Sequence, residues 1–322
     1  MKTLALFDPI RDDLERVEHK MRQAIQTEHE QLTEVLQYLL SNGGKRIRPA
    51  LVLLSSRFHP ADEDQVTALA AAVEILHTAT LVHDDLIDGS LLRRGWPTLN
   101  AFWSPEATIL TGDYLFSRAA SLAAETQNPR VVTIFSSTLA IICWGELRQL
   151  FSGQGNLPTV TEYYQRISSK TASLFAASTE AGAVLSNAPE AEIQALRDYG
   201  HNLGMAFQII DDVLDFMGDE AQMGKPAGND LLRGIITLPT LHFLSQGNNS
   251  EAVLQVLNGT QQDGTAVRAA VEVICASGAI EATIAEARQF SRRGQEALEM
   301  LPASPYRQIL LDLADFVVER TH

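Results

Sequence analysis

The sequence is poor in cysteine: its 322 residues include only Cys143 and Cys275, and both stand among apolar neighbours. Two such thiols suit a reducing compartment better than the disulfide framework of a secreted protein. A signal peptide is also missing, because only four apolar residues, LALF, precede Asp8 and Pro9. We therefore expect a cytoplasmic protein.

Glycine and proline are sparse as well, with 20 and 12 residues, which is too few for a turn-rich all-β architecture. Apolar residues instead recur every three or four positions, as at Leu14, Val17, Met21 and Ile25, the spacing of an amphipathic helix. This pattern predicts helices over residues 107–125, 131–151, 162–186, 190–217, 236–244, 266–277, 280–301 and 306–319. No break between them is long enough for a linker, so we predict an all-α chain with a single domain over residues 1–322.

Positive charge is in short supply, since 25 Lys and Arg stand against 40 Asp and Glu, a formal net charge of −15. Such a chain repels the phosphate backbone of nucleic acid unless a local basic patch compensates, and the basic residues occur only in small groups. Long hydrophobic runs are absent too: the longest uncharged candidate, residues 131–145, is shorter than the roughly 20 residues of a membrane span. We expect neither nucleic-acid binding nor a membrane span.

Two aspartate clusters of the form D-D-x-x-D are present. The first is Asp84, Asp85 and Asp88, and the second is Asp211, Asp212 and Asp215. A random chain with the 18 aspartates of this sequence would contain about 0.06 such matches. The pair is therefore a specific signal, although surface acidic runs remain the alternative for either cluster taken alone.

The spacing of each cluster stacks like charges on one helical face, because residues four apart lie above one another. Both clusters end an apolar run, EILHTATLV and NLGMAFQII, so we expect a compensating cation at the mouth of an apolar interior. Carboxylates without a His or Cys in ligand spacing nearby indicate Mg²⁺ shared with a phosphorylated substrate. Calcium is disfavoured, because neither cluster has the alternating ligands and central Gly of an EF-hand.

Basic residues stand near these clusters, as a diphosphate site requires. The segment GGKRIRP contains Lys45, Arg46 and Arg48 beside two glycines at a predicted helix start, where backbone N–H groups can bind an anion. Arg93 and Arg94 follow the first cluster, and Lys225 follows the second. Taken singly, each is more typical of a solvated surface cation.

Five segments, in order and spacing, resemble the trans-polyprenyl diphosphate synthases, the enzymes that elongate isoprenoid chains head to tail. They are GGKRIRPAL, LHTATLVHDDLIDGSLLRRGWPTLN, GELRQL, SKTASLF and FQIIDDVLDFMGDEAQMGKPAGNDLLRGIITLP, which together span residues 43–239. The resemblance implies a single large helical bundle of the isoprenoid synthase type, with the two acidic clusters facing each other across a central cavity. It also implies two or three Mg²⁺ ions that bridge an allylic diphosphate.

The resemblance assigns roles by position. Asp84, Asp88, Asp211 and Asp215 match the metal ligands, and Asp85, Asp212 and Lys170 complete the catalytic group. Arg93, Lys170, Thr171, Gln208 and Lys225 match the groups that hold the allylic diphosphate. Lys45, Arg48, His77 and Arg94 match the pocket for isopentenyl diphosphate. A lone histidine in an apolar helix is more often a satisfied core residue, so His77 owes its role to the resemblance alone.

The implied reaction needs no protein nucleophile. The cations draw charge onto the leaving diphosphate, the allylic C–O bond ionises, and the double bond of isopentenyl diphosphate attacks the carbocation. The proton then leaves, with the released diphosphate as its acceptor in this family.

One departure from the family pattern stands out: residues 234–239 read GIITLP, which puts Ile235 where the family pattern often has lysine. We expect weaker diphosphate binding rather than loss of activity.

Product length is expected to depend on the helix before the first cluster. Ala79 lies five residues before Asp84, about 7.5 Å along the helix, and Leu76 lies eight before it, about 12 Å along. Short-chain members often carry an aromatic residue at the first position, so Ala79 predicts a medium- or long-chain product.

A homodimer is the expected assembly. The alternatives are a non-catalytic regulatory subunit, which would lose metal ligands, and a terpene cyclase, which would usually lack the GGKRIRP segment and the paired arginines.

Overall fold

A computed structural model describes residues 5–41, 44–93, 95–151, 157–217, 227–247, 250–257, 259 and 263–320. The early helices are α1 (Arg11–Ala24), α2 (Glu30–Ser41), α3 (Ile47–Ser55), α4 (Glu63–Ile87), α5 (Pro105–Glu125) and α6 (Pro129–Phe151). They are followed by α7 (Val160–Ile167), α8 (Ser173–Leu185), α9 (Glu190–Met217), α10 (Asn229–Leu232) and α11 (Leu238–Ser245). The last are α12 (Glu251–Leu257), α13 (Gly264–Cys275), α14 (Ala279–Ala297) and α15 (Pro305–Glu319).

Strands are confined, within the described ranges, to one short hairpin. β1 (Leu92–Arg93) pairs antiparallel with β2 (Trp96–Pro97). The all-α prediction is therefore confirmed, and the predicted helix over residues 190–217 coincides with α9. The predicted helix over residues 162–186 is instead interrupted by a π-helical turn at Ser168–Ala172, which separates α7 from α8.

Contacts group the chain into two compact units. The first unit comprises Met1–Leu139, Leu174–Gly200 and Ala297–Leu313, and the second comprises Ala140–Ser173, His201–Glu296 and Ala314–His322. The single domain over residues 1–322 stays a prediction.

The core of the first unit is built around α4. This helix is apolar on nearly every side, and Leu69, Ala72, Leu76 and Ala79 are almost wholly buried, as expected for a central helix. It begins at an Asp62 cap whose carboxylate accepts from two backbone N–H groups. The first acidic cluster therefore lies at the carboxyl end of a helix whose body is buried in the core.

The core of the second unit forms around the end of α9. Val213 and Phe216 pack there with apolar residues of α10 to α14, including Leu231, Phe243 and Val267. A capping box between Thr159 and Glu162 starts α7 in the same unit. The second acidic cluster therefore lies on a helix whose opposite side is held by a packed core.

Two helices among the described residues are long and apolar enough to cross a membrane by length and composition: α4, which is 72% buried in its most apolar window, and α6, which is 22% buried there. The uncharged run over residues 131–145 is shorter than the helix that contains it, because α6 extends over 23 residues, from Pro129 to Phe151. Burial explains α4 as a core helix.

Candidate active site

The first acidic cluster occupies the last turn of α4. Asp84 is half-buried, Asp85 is buried and Asp88, the C-cap, is exposed. Gly89 follows with a φ of 61°, the left-handed conformation that commonly ends a helix. Carboxylates at this end face the negative pole of the helix dipole, which disfavours them by roughly 0.3–1 kcal/mol each. A bound cation would relieve that repulsion.

Arg93 of β1 pairs with the buried member of this cluster. Its Nε donates to both carboxylate oxygens of Asp85 at 3.0 Å, and its Nη2 lies 2.9 Å from Oδ1. The hairpin thereby holds Asp85 in place. Asp84 and Asp88 are the predicted metal ligands of this cluster. The neighbouring Arg94 lies outside the described residues.

The second acidic cluster occupies the last two turns of α9, with Asp211 and Asp215 half-buried and Asp212 buried. The backbone carbonyl of Asp215 accepts from Gly228 N–H at 2.8 Å, and its Oδ2 accepts from Asp230 N–H at 3.1 Å. These bonds attach the start of α10 to the cluster. Lys225, predicted to bind diphosphate, lies outside the described residues.

Asp212 lies in a hydrogen-bonded chain of side chains. Its Oδ2 accepts from the Tyr163 hydroxyl at 2.7 Å, and its Oδ1 accepts from Gln208 Nε2 at 2.9 Å. Gln208 Oε1 in turn accepts from the Thr171 hydroxyl at 2.7 Å. Burial raises the pKa of Asp212 to about 7, although the hydrogen bonds from Gln208 and Tyr163 oppose the shift. Two predicted diphosphate ligands are thus joined to the acidic cluster.

Lys170 and Thr171 lie in the π-helical turn at Ser168–Ala172. Lys170 Nζ lies 2.8 Å from Glu146 Oε1 on α6. Beside this pair, α6 approaches the turn closely at Gly145, where an added Cβ would lie 2.6 Å from Ser169 Cβ. π-helical turns are frequent at functional sites, and this one carries two of the predicted ligands.

The three basic residues of the segment GGKRIRP differ in role: one has a structural contact, and two are candidate binding residues. Arg46 adopts a left-handed conformation with φ 53° and turns inward, where Nη1 lies 2.8 Å from Oε1 of the buried Glu74 and Nη2 donates to Leu40 O at 2.6 Å. Lys45 is exposed, and the half-buried Arg48 places Cζ 4.8 Å from the Phe175 ring centroid. Lys45 and Arg48, the two predicted ligands, flank an anchor that the sequence did not reveal.

His77 is half-buried on α4, seven residues before Asp84 and so on the same helical face. Ala79 and Leu76, the predicted determinants of product length, are fully buried. The described predicted residues divide between the units. The first holds Lys45, Arg48, Leu76, His77, Ala79, Asp84, Asp85, Asp88 and Arg93, and the second holds Lys170, Thr171, Gln208, Asp211, Asp212 and Asp215.

Neither cluster forms a metal cage from protein atoms alone: among the described residues no group of three or more His, Cys, Asp or Glu side chains converges as a complete ligand set. Mg²⁺ suits such an arrangement, because it is commonly held by one or two carboxylates together with substrate phosphates and water. The oxygen-only donors of Asp84, Asp88, Asp211 and Asp215 fit that chemistry.

Comparisons with known proteins show which family the chain resembles. A family model described as Polyprenyl synthetase matches residues 29–274. The chain is 41% identical over 322 residues to heptaprenyl diphosphate synthase component 2 of Geobacillus stearothermophilus, with 100% of each chain covered. It is 37% identical over 288 residues to octaprenyl diphosphate synthase of Escherichia coli K12, with 88% of each covered.

A solved structure gives the same result. The polyprenyl synthase of Caulobacter crescentus CB15, complexed with calcium and isoprenyl diphosphate, matches with a TM-score of 0.94 at 37% identity, over 99% of this chain and 98% of that one. The chain therefore belongs to the polyprenyl synthetase family. It is a prenyltransferase with the helical isoprenoid synthase fold, which confirms the family, enzyme class and fold predicted from the sequence.

Proposed function

We propose that this chain condenses an allylic prenyl diphosphate with isopentenyl diphosphate, head to tail, to give a medium- or long-chain all-trans polyprenyl diphosphate. The observation that carries the proposal is the pair of D-D-x-x-D clusters at the carboxyl ends of α4 and α9, each close to a predicted diphosphate-binding group of its own unit. A helical scaffold without a diphosphate substrate would have no use for either arrangement.

Asp84, Asp88, Asp211 and Asp215 would bind Mg²⁺, two or three ions in all. Bound Mg²⁺ supplies charge neutralisation for the leaving diphosphate. Asp85 and Asp212, whose carboxylates are engaged by Arg93 and Tyr163, would support the site by fixing their neighbours.

The remaining polar residues would bind the two diphosphates. Arg93, Lys170, Thr171, Gln208 and Lys225 would hold that of the allylic primer, and Lys45, Arg48, His77 and Arg94 that of isopentenyl diphosphate. Their N–H and O–H groups stabilise negative charge as the allylic C–O bond ionises. The double bond of isopentenyl diphosphate then attacks the cation, and the released diphosphate accepts the proton. Apolar walls exclude the water that would quench the cation.

Ala79 and Leu76 would limit the product. Both are fully buried on α4, five and eight residues before Asp84, and the small Ala79 side chain lacks the aromatic bulk that would block a growing tail there. We therefore assign a product longer than fifteen carbons, of the kind used as a quinone side-chain precursor.

The assembly would be a cytoplasmic homodimer formed through α6. Ile141, Trp144, Leu147 and Phe151 of this helix are exposed, and their spacing places them on one face. The stretch from Val131 to Trp144 carries no charge, so the surface favours a partner with the same apolar character. A two-fold symmetric contact satisfies this requirement with one patch used twice.

The regulatory subunit is the second candidate, and a specific observation keeps it in view. Two relatives bear the name heptaprenyl diphosphate synthase component 2, which makes each of them one component of an enzyme. A subunit that had lost catalysis would not need its metal ligands, yet both clusters are intact here. Activity of the isolated chain separates the two functions.

The experiment combines the purified chain with Mg²⁺, labelled isopentenyl diphosphate and a series of allylic primers, and then sizes the dephosphorylated products by chromatography. We expect elongation by the chain alone, with products beyond fifteen carbons. Light scattering on the same preparation gives the assembly. An inactive wild-type chain that binds neither Mg²⁺ nor primer would contradict the catalytic role and favour the regulatory subunit.

A further inference from the structure

A buried tyrosine to which the sequence gave no role lies beside the second acidic cluster. Tyr163 of α7 is 1% exposed, and its hydroxyl donates to Asp212 Oδ2 at 2.7 Å. A buried tyrosine hydroxyl needs a polar partner, and hydrogen bonds to a carboxylate are stronger than neutral ones. This bond joins α7 to α9 within the second unit.

Asp212 transmits the constraint to Gln208. Gln208 turns its amide nitrogen toward Asp212 Oδ1, which accepts the hydrogen bond at 2.9 Å, and the amide oxygen then faces the Thr171 hydroxyl. The hydrogen bond from Tyr163 to Asp212 thereby fixes the orientation of the Gln208 amide. The second hydrogen of the Gln208 nitrogen can donate to a phosphate oxygen.

We propose that Tyr163 is a positioning residue for the allylic diphosphate: by holding Asp212 it orients Gln208 and Thr171. This inference rests on the proposed function, which assigns Gln208 and Thr171 to that diphosphate. Loss of the hydroxyl removes one of the two hydrogen bonds that the described residues donate to the Asp212 carboxylate. The carboxylate can then rotate, and Gln208 loses its fixed acceptor.

The ring of Tyr163 has a separate, packing role that the experiment must leave in place. Arg166 Cζ lies 5.4 Å from its centroid, and the Tyr164 ring lies 5.6 Å away. Tyr163→Phe keeps these ring contacts and removes only the hydroxyl. It therefore isolates the hydrogen bond to Asp212.

Tyr199 offers a matched control in the first unit. It is fully buried, and its hydroxyl donates to the backbone carbonyl of Leu310 at 2.7 Å. Tyr199→Phe makes the same chemical change at the same depth and hydrogen-bond length, but on a partner to which the proposed function gives no catalytic role. Any general cost of losing a buried tyrosine hydroxyl appears in both variants.

The first measurement is steady-state kinetics for each substrate separately. A hydrogen bond to a charged group is worth enough for a tenfold to hundredfold change. We expect Tyr163→Phe to lower kcat/KM for a fifteen-carbon allylic diphosphate by that factor, with a raised KM for this primer and a KM for isopentenyl diphosphate within twofold of wild type. Tyr199→Phe should change neither KM. Loss of folded protein alone would lower kcat and leave both KM values unchanged.

The second measurement is binding without turnover. Calorimetric titration of the fifteen-carbon allylic diphosphate, with Mg²⁺ and without isopentenyl diphosphate, should give Tyr163→Phe a Kd at least tenfold higher than that of Tyr199→Phe. In a Gln208→Leu background, Tyr163→Phe should cause little further loss, because the group through which it acts is gone.

Equal primer affinities in the two tyrosine variants, or a full multiplicative loss in the double variant, would overturn the positioning role. These results presuppose an active wild-type chain. A wild-type chain without elongation activity would contradict the proposed function instead, so the two failures are distinguishable.

Discussion

Arg320 and Asp211 form an ion pair at the second acidic cluster, with Arg320 Nη2 2.9 Å from Asp211 Oδ1. The same guanidinium donates to the backbone carbonyl of Phe207 at 2.6 Å, and its Cζ lies 3.9 Å from the Phe207 ring centroid. Burial lowers the pKa of Arg320, and Asp211 opposes the shift. The carboxyl-terminal segment thus supplies a cation to a predicted metal ligand.

The Arg320 contacts should stabilise the fold. Because Asp211 is 40% exposed, the ion pair itself is screened and worth about 1 kcal/mol at most. We expect Arg320→Gln to lower the Tm by a few degrees, since the Phe207 contacts are lost as well. Asp211→Asn should lower the Tm less in that background than in the wild type. Arg293→Gln, at an exposed cation–π contact with Phe290, serves as the control, and equal shifts in both arginine variants would contradict the expectation.

Metal dependence tests the aspartate clusters directly. Asp84→Ala and Asp211→Ala should each lower turnover by orders of magnitude, because each removes a proposed metal ligand. Circular dichroism should show the helices retained, and Asp12→Ala, on the exposed side of α1, should keep full activity. Excess chelator should abolish turnover, and added Mg²⁺ should restore it. Normal turnover in chelator would exclude the metal role.

Ile235→Lys tests the residue at which the chain departs from the family pattern. Ile235 N–H donates to Asp230 O at 2.8 Å, and Asp230 N–H donates to Asp215 Oδ2 at 3.1 Å, so the position is attached to the second cluster. An added ammonium there should lower the KM for the allylic primer. Ile235→Met has similar length without charge and should leave that KM unchanged. Equal values for both variants would mean that residue 235 does not reach the substrate.

Ala79→Phe tests the chain-length assignment. An aromatic ring five residues before Asp84 should block the growing tail and shorten the product while the first condensation continues. Overpacking of a buried alanine also costs roughly 1–3 kcal/mol, so a control is needed. Ala70 is equally buried on α4 and lies nine residues earlier, on the opposite face. Chromatography should show shorter products for Ala79→Phe alone; unchanged lengths would exclude a tail path along this residue.

Gly145→Ala tests the close approach of α6 to the π-helical turn. The added Cβ would lie 2.6 Å from Ser169 Cβ, so the turn that carries Lys170 must shift. We expect a lower Tm and a higher KM for the allylic primer. Ser169→Gly in the same chain removes the clashing atom and should restore part of the activity. Gly264→Ala, with nothing within 4 Å, should instead stabilise the fold by about 0.4–1 kcal/mol, because alanine restricts the unfolded chain.

The sequence predicted the parts of this site that depend on local pattern. The D-D-x-x-D clusters and the bounds of α9 follow from residue types and helical period. Neither of these depends on tertiary contacts. It gave Arg46 no structural role, because the inward turn of Arg46 depends on Glu74, 28 residues away. Tyr163 was missed for the same reason: its partner Asp212 is 49 residues distant. A polar tip at an otherwise apolar helical position was the available signal.

The π-helical turn at Ser168–Ala172 has a consequence for how this segment tolerates change. Removal or addition of one residue rotates everything beyond it by about 100°, which would turn Thr171 away from Gln208, its partner at 2.7 Å. Substitution of the neighbouring serines leaves that rotation untouched. The segment is thus strict in length, the reverse of a surface loop, which accepts insertions readily.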